Sequence, residues 1–220
     1  MKATFLTLFP ELMEGYFGGS ILGRAIEKGL LGVEFVNFRD YTTDKHLKVD
    51  KPMAGGGAGM LLMADPIVRA IEEHRTDESR VIFVTPAGKP FNQNDAKRLA
   101  GFGHLIFVSG RYEGFDERAI ELCADEVLSL GDFVLTGGEI ASMAMFDAIA
   151  RNVPGVLGNE ESLSDESFEA GLLEAPAFTK PNLYRGMAIP SDYLKGNHAK
   201  LSALKSEMAL LRTKYYRPKG

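Results

Sequence analysis

The sequence predicts an α/β domain with a mainly parallel sheet, followed by a small helical domain. Short β-branched or aromatic runs alternate with amphipathic stretches from residue 2 to residue 158, as in a parallel sheet whose strands are joined by helices. Residues 159–175 then carry six carboxylates and no basic side chain. The remaining residues, 176–220, are rich in basic side chains and contain one amphipathic helix.

Strands and helices alternate regularly through the first domain. The predicted strands span residues 3–9, 33–38, 80–85, 104–109 and 126–130. The predicted helices span residues 20–28, 66–74, 116–123 and 138–152, with one more from Asn92 or Asn94 to about Gly101. In the second of these helices, Asp65 is the expected N-cap and Pro66 the first helical residue.

The composition changes divide the chain into an α/β domain (residues 1–158), an acidic interdomain linker (159–175) and a basic helical domain (176–220). The last segment has nine basic and two acidic residues, a local charge of +7, which leaves −12 for the rest of a chain whose total is −5. Such a module can bind a polyanion, although a solvated helix with many lysines has the same charge.

The helix of the basic domain is predicted at about residues 197–212. Its apolar side chains recur at helical spacing, which places them on one face. These side chains are Leu201, Leu204, Met208 and Leu211.

Composition excludes several classes of protein. The hydrophobic content is 45% of 220 residues, which suits a globular protein, and no apolar run approaches the ~20 residues that span a bilayer. The first residues contain no cleavable leader pattern, so we expect a cytoplasmic protein without membrane contacts. Cys123 is the only cysteine, which excludes an internal disulfide and indicates a buried, inert thiol.

The run P-M-A-G-G-G-A-G-M (residues 52–60) is a poor nucleotide-binding motif. No strand is predicted before it, its spacing departs from G-x-G-x-x-G at Met60, and it lacks the Gly-Lys-Ser/Thr of a phosphate loop. It is interpreted either as a loop whose amides approach a ligand, flanked by His46 and Asp50, or as a mobile turn.

Three glycine-containing loops follow three successive strands, at residues 85–88, 110–114 and 130–138. Carboxyl ends of parallel strands meet at one edge of a sheet, where open α/β folds bind ligands. Their glycine, hydroxyl and apolar residues favour a flat, weakly charged group such as an adenosyl ring over a polyphosphate. Tight turns alone would explain any single loop, but less easily all three.

Several motifs together resemble one known family. They include F-L-T-L-F-P, S-I-L-G-R-A, R-D-Y-T-T-D-K-H, G-R-Y-E-G-F-D-E-R, G-D-F-V-L-T-G-G-E, P-G-V-L-G and G-L-L-E-A-P, in this order. The chain resembles the bacterial tRNA (guanine-N1)-methyltransferases of the TrmD type, in the SPOUT superfamily, over nearly its whole length.

The resemblance implies a SPOUT-type α/β domain with a deep trefoil knot. It implies a homodimer with shared active sites, in which S-adenosylmethionine is bound by the three loops and a methyl group passes to N1 of guanosine 37 in tRNA. The implied donor-binding residues are Thr85, Pro86, Gly110, Tyr112, Glu113, Leu130, Gly131, Asp132, Phe133, Val134, Leu135, Gly137 and Gly138.

The resemblance also implies the catalytic residues. Guanine N1 carries a proton at neutral pH, so a carboxylate must remove it while a cation stabilises charge on O6. Counting from Arg151, the implied cation, places Glu166 where the family has an aspartate, with Asp165 as the rival base. Without the resemblance, Arg151 would be a helix cap and both carboxylates solvated acids.

For tRNA, the resemblance points to the basic C-terminal domain and to five residues elsewhere in the motifs. These are Ser20, Arg24, His46, Asp50 and His198. It also implies magnesium, for which Glu113 is a candidate ligand although the sequence has no dedicated metal cluster. The alternative function is a catalytically inactive RNA-binding protein of the same fold, against which Arg151 and the carboxylate at position 166 both count.

Overall fold

The computed structural model describes residues 1–158, 166–168 and 171–218. The chain divides into two compact units, Met1–Gly158 and Asn159–Gly220. The first unit contains a five-stranded sheet in which every neighbouring pair of strands is parallel, which confirms the predicted class. None of the described helices is long and apolar enough to cross a membrane.

The strands follow one another through both units. In chain order they are β1 (Lys2–Thr7), β2 (Gly32–Asn37), β3 (Asp50–Pro52), β4 (Met60–Leu62), β5 (Ser79–Pro90), β6 (His104–Ser109), β7 (Glu126–Ser129), β8 (Leu183–Tyr184) and β9 (Met187–Ala188). The large sheet has the order β2-β1-β6-β5-β7, so β1, β5 and β6 are central. All residues of β6 are buried, as expected for a central strand covered on both faces.

The helices of the first unit cover both faces of the sheet. They are α1 (Glu11–Phe17), α2 (Ser20–Glu27), α3 (Ala64–His74), α4 (Gln93–Leu99), α5 (Glu117–Cys123) and α6 (Glu139–Ala150), and the second unit contains α7 (His198–Tyr216). Helices α1, α2, α4 and α6 share one core, where Phe5 stacks on Phe107 and meets Phe146 edge-on. Helices α3 and α5 share the other core, which includes the buried Cys123.

The N-caps explain where two of the helices begin. Asn92 accepts hydrogen bonds from the N–H groups of Asn94 and Asp95, and the Asp95 carboxylate accepts from the Asn92 N–H, which makes a capping box. Asp116, predicted as the first residue of its helix, is the N-cap of α5, and its side chain accepts a hydrogen bond from the Arg118 N–H. For α3 the prediction was wrong, because its N-cap is Met63 and Asp65 lies within the first turn, where a carboxylate still complements the helix dipole.

Strand β5 is the main departure from the predicted strands. It does not end at residue 85, because both Val84 and Lys89 pair with Leu128 of β7. Residues 85–88 therefore bulge out of a strand that continues to Pro90, instead of forming a loop after it. Gly88 permits this return, since a Cβ atom there would lie 2.6 Å from the Leu128 backbone.

Two further features were not predicted in the first unit. Helix α1 was missed, and the glycine-rich run lies in an antiparallel hairpin formed by β3 and β4. The statement that no strand precedes this run was therefore wrong. The error arose because a three-residue strand has too little sequence pattern to be recognised.

The second unit packs around Tyr193. The Tyr193 ring meets Phe178 edge-on at 4.9 Å, and its hydroxyl donates to the Pro176 carbonyl. Helix α7 extends four residues beyond the predicted end at residue 212. Leu201, Leu204 and Met208 are half-buried on it, whereas Leu211, which shares their face by helical spacing, is 57% exposed.

Candidate functional site

A cleft of about 200 Å³ lies between the bulge of β5 and the carboxyl ends of β6 and β7. Its lining comes from the bulge of β5, from residues 110–115 after β6, and from residues 129, 130 and 133–138 at and after the end of β7. We call it the loop cleft. The three loops singled out in the sequence thus share one cavity. This arrangement follows from the parallel strands, because β6 and β7 end at the same edge of the sheet and the bulge of β5 lies at that edge.

Eleven of the thirteen implied donor-binding residues line the loop cleft. They are Thr85, Pro86, Gly110, Tyr112, Glu113, Leu130, Phe133, Val134, Leu135, Gly137 and Gly138. Gly131 and Asp132 do not line it. Gly131 instead supports the turn behind Phe133, because a Cβ atom at Gly131 would lie 2.8 Å from the Phe133 ring.

The backbone forms much of the cleft surface. Gly138 donates its N–H to the Gly110 carbonyl at 2.8 Å, and a Cβ atom at Gly138 would lie 2.7 Å from the Gly110 nitrogen. Tyr112 has φ 58°, a conformation that is uncommon outside glycine, and its side chain is 52% exposed. Backbone amides and an exposed aromatic ring at one edge suit a flat heterocycle with polar edges.

An ion pair that was not predicted from the sequence joins Arg111, which is partly exposed in the cleft lining, to the buried Glu139. The Arg111 guanidinium contacts the carboxylate of Glu139, the first residue of α6, with Nη2 3.0 Å from Oε2 and Nε donating to Oε1 at 3.1 Å. Glu139 is 2% exposed. The two residues are 28 positions apart, so no local pattern in the sequence signals their contact.

The glycine-rich hairpin is attached to the same site. The N–H of Glu113 donates to the Met60 carbonyl at 3.0 Å, and the N–H of Leu62 donates to the Gly114 carbonyl at 3.0 Å. A Cβ atom at Gly59 would collide with the Glu113 side chain, which explains a glycine at this position. The glycine-rich run is therefore not an isolated mobile turn, because β4, the second strand of its hairpin, is hydrogen-bonded to the loop after β6 that lines the cleft.

The implied tRNA-binding residues of the first unit lie outside the loop cleft. Ser20 and Arg24 are exposed on α2, and Ser20 has φ 54°. His46 is exposed in the segment before β3, and Asp50 is the first residue of β3. The backbone N–H of His46 donates to Asp44 at 2.8 Å, and this hydrogen bond lowers the pKa of the Asp44 carboxyl.

The remaining site residues are distributed over both units. Arg151 is the C-cap of α6 in the first unit, whereas Glu166 and His198, the first residue of α7, belong to the second. Asp165 lies outside the described residues. Within the described part of the chain, no group of three or more His, Cys, Asp or Glu side chains could hold a metal ion, so Glu113 gains no support as a magnesium ligand.

Comparisons with known proteins agree with the resemblance found in the sequence. A family model described as "tRNA (Guanine-1)-methyltransferase TrmD" matches residues 1–219. A Nitratiruptor protein named tRNA (guanine-N(1)-)-methyltransferase is 61% identical, with 99% of this chain and 96% of the relative covered. Proteins of the same name from Sulfurovum and Campylobacter jejuni are 56% and 52% identical, with 99% of this chain and 97% and 96% of the relatives covered. The chain belongs to the tRNA (guanine-1)-methyltransferase family.

Proposed function

We propose that this protein transfers a methyl group from S-adenosylmethionine to N1 of guanosine 37 in tRNA, next to the anticodon. Membership of the family supports the tRNA (guanine-N1)-methyltransferase activity. The observation that carries the assignment of the site is the loop cleft, in which eleven implied donor-binding residues meet.

The loop cleft suits an adenosyl group bound largely through backbone atoms. Glycines at positions 110, 137 and 138 leave the backbone accessible, while Tyr112 and Leu135 offer apolar surface to a ring. When bound, S-adenosylmethionine supplies a methyl group on a positively charged sulfur. The chain's residues hold that methyl group in line with the guanine, which converts a bimolecular reaction into one within a bound complex.

Proton removal from guanine is assigned to a carboxylate outside the loop cleft. Glu166 accepts the N1 proton as the new N1–C bond forms and the S–C bond breaks, and Arg151 stabilises the negative charge that develops on O6. Asp165 is the rival base. The carboxyl group of glutamate has the same chemistry as that of aspartate but is one methylene further from the backbone.

The position of Arg151 supports a homodimer with shared active sites. The loop cleft is at the N-terminal end of α6 and Arg151 is at its C-terminal end. A helix of 12 residues separates these ends by about 18 Å, which puts Arg151 far from the cleft of its own chain. We propose that a second copy supplies the arginine, as in the shared site that the resemblance implies.

Exposed apolar side chains near the same helix provide a surface for that second copy. Leu12 and Tyr16 of α1 are 55% and 49% exposed, and Ile140 of α6 is 59% exposed. Helix α1 packs on α6, so these side chains belong to neighbouring elements. Apolar surface of this kind is typical of subunit interfaces. The trefoil knot is part of the same proposal, which rests on family membership alone.

The basic C-terminal segment, residues 176–220, is proposed to bind tRNA, after an acidic linker at residues 159–175. Its described part offers cations and exposed aromatic rings, the two groups that bind phosphates and stack on bases. On the hairpin of β8 and β9, Tyr184 is 62% exposed and the Arg185 guanidinium lies over its ring at 5.4 Å. Ser20, Arg24, His46, Asp50 and His198 are proposed to contact the same tRNA. Because tRNA is its substrate, we propose that the enzyme acts in the cytoplasm.

The activity is tested by incubating the full chain with labelled S-adenosylmethionine and an unmodified tRNA transcript. Transfer of label to the tRNA is the expected result. Binding of the tRNA without transfer would favour the inactive RNA-binding alternative instead.

A further inference from the structure

The ion pair of Arg111 and Glu139 is more constrained than an ordinary salt bridge. Oε1 of Glu139 accepts two hydrogen bonds, from the Thr7 hydroxyl at 2.7 Å and from Arg111 Nε at 3.1 Å. Oε2 lies 3.0 Å from Arg111 Nη2 but off its N–H direction, so it is attracted without an aligned hydrogen bond. Among the described residues, Oε2 is the buried side-chain oxygen that lacks a hydrogen bond.

Arg111 joins segments that are far apart in sequence. Its guanidinium lies over the Phe9 ring at 4.6 Å, and its Nη1 donates to the Thr136 carbonyl at 3.3 Å. The end of β1, the loop after β6 and the loop after β7 therefore meet at this one side chain. Arg111 also lines the loop cleft, whereas Glu139 lies behind the lining.

The backbone around the pair leaves no room for adjustment. A Cβ atom at Gly137 would collide with the side chains of both Arg111 and Glu139. At the next residue, the Gly138 N–H donates to the Gly110 carbonyl. The two loops are consequently joined by one hydrogen bond between backbones, by the hydrogen bond from Arg111 to Thr136 and by the ion pair.

Stability alone is a poor explanation for this pair. Removing two charges from water is costly, and apolar side chains of similar volume often serve a buried position as well or better. Charged groups differ from apolar ones in direction, because a planar guanidinium binds a carboxylate and a carbonyl at set angles. The pair is therefore suited to fix the distance and orientation of the segments that it joins.

We propose that Glu139 and Arg111 are positioning residues for the methyl donor. They hold residues 110–114 and 130–138 at the separation at which both loops contact the donor. This inference rests on the proposed function, because it takes the loop cleft as the donor site. Glu139 acts through Arg111 and the loops and touches neither substrate.

The test measures donor affinity and stability separately, by calorimetric titration with S-adenosylhomocysteine and by thermal unfolding. Glu139→Gln and Arg111→Lys keep the size or the charge of the side chain but lose the geometry of the pair. We expect each to raise the donor Kd by about tenfold or more. Binding of tRNA should change much less, because the pair lies at the donor cleft.

A double variant separates positioning from stability. In Arg111→Met/Glu139→Leu both charges are replaced by apolar side chains, so the melting temperature should recover relative to Glu139→Gln. The donor Kd should remain raised, because no directional contact is restored. If the double variant does not fold, the donor Kd and the melting temperature of Arg111→Lys are compared with those of the wild type instead. A raised Kd at an unchanged melting temperature then supports positioning.

Glu126→Gln is the matched control. Glu126 lies in β7 with its side chain 13% exposed, and it is paired with Arg98 at 2.6 Å and Arg80 at 3.1 Å, away from the cleft. This variant should lower the melting temperature and leave the donor Kd unchanged.

Three results would overturn the proposal: wild-type donor affinity in Glu139→Gln, recovery of donor affinity in the double variant, or an equal loss in Glu126→Gln. Absence of donor binding by the wild type would be seen first and would overturn the proposed function together with this inference.

Discussion

Gly138 and Gly110 are in direct backbone contact, with the Gly138 N–H donating to the Gly110 carbonyl at 2.8 Å. The contact joins the start of α6 to the end of β6, two segments that both line the loop cleft. No side chain fits between them, because a Cβ atom at Gly138 would also lie 3.0 Å from the Cα of Ser109. The shape of the cleft therefore depends on a glycine at position 138.

Replacing Gly138 with alanine should separate the two loops. The added methyl group forces the backbone apart, which we expect to cost about 1–3 kcal/mol of stability, as overpacking does, and to weaken donor binding. Titration with S-adenosylhomocysteine and thermal unfolding measure both effects. Gly32→Ala is the control, since a Cβ atom there makes only a 3.9 Å contact with Lys2. Unchanged donor affinity in Gly138→Ala would show that the close contact is not needed for binding.

The general base is identified by comparing Glu166→Gln with Asp165→Asn. If Glu166 removes the N1 proton, its amide variant should slow single-turnover methylation by about 10²–10⁴-fold. The Asp165 variant should stay close to the wild type. Both should bind S-adenosylhomocysteine normally, because neither residue is assigned to the donor site. Full activity of Glu166→Gln would exclude Glu166 as the base.

Sharing of the active site is tested by mixing two inactive variants. Arg151→Ala removes the arginine, and Gly138→Asp blocks the donor cleft. In a mixed dimer, one site combines an intact cleft with the arginine of the other chain. Statistical mixing should therefore restore about a quarter of the wild-type number of sites.

Each variant mixed only with itself is the control and should remain inactive. If Arg151 acted at the cleft of its own chain, mixing would restore nothing, because every chain would carry a lesion in its own site.

His104 should make stability depend on pH. Its side chain is held between Thr4 Oγ1 at 2.9 Å and Ser79 Oγ at 2.8 Å. Burial lowers the pKa of His104 below its ordinary value near 6.5, assisted by the charges of Lys2 and His74 and opposed by Glu34. The folded protein thus favours neutral His104. The resulting contribution to the free energy of unfolding is complete above pH 6.5, and it is lost as the pH falls towards the pKa of His104 in the folded protein.

The corresponding measurement is the melting temperature at about pH 7.5 and about pH 5.5. The wild type should lose more stability on acidification than His104→Gln, which has no group that titrates in this range. An equal loss in both proteins would assign the pH dependence to other groups.

The strands of the five-stranded sheet were predictable because they are apolar, largely buried runs separated by helical patterns. Asn92 and Asp116 are capping residues that the sequence displays directly. The bulge in β5 was not predictable, since it depends on Lys89 returning to pair with Leu128 in another strand. Pairing between distant strands is decided by tertiary packing rather than by local pattern.

The sequence likewise predicted some parts of the site and missed others. The loops of the cleft were recognised because glycines follow three strands. The contact of Arg111 with Glu139 was missed because a charged residue shows no sign of its partner across 28 positions. The role of the hairpin formed by β3 and β4 was missed because its attachment to Glu113 and Gly114 uses backbone groups, which every residue has.

Mapping the modified nucleoside tests whether the protein methylates N1 of guanosine 37. A tRNA transcript is incubated with the enzyme and S-adenosylmethionine, digested, and analysed by mass spectrometry beside a transcript with adenosine at position 37. We expect N1-methylguanosine at position 37 of the first transcript and no methylation of the second. Methylation at another position or atom, or equal methylation of both transcripts, would contradict it.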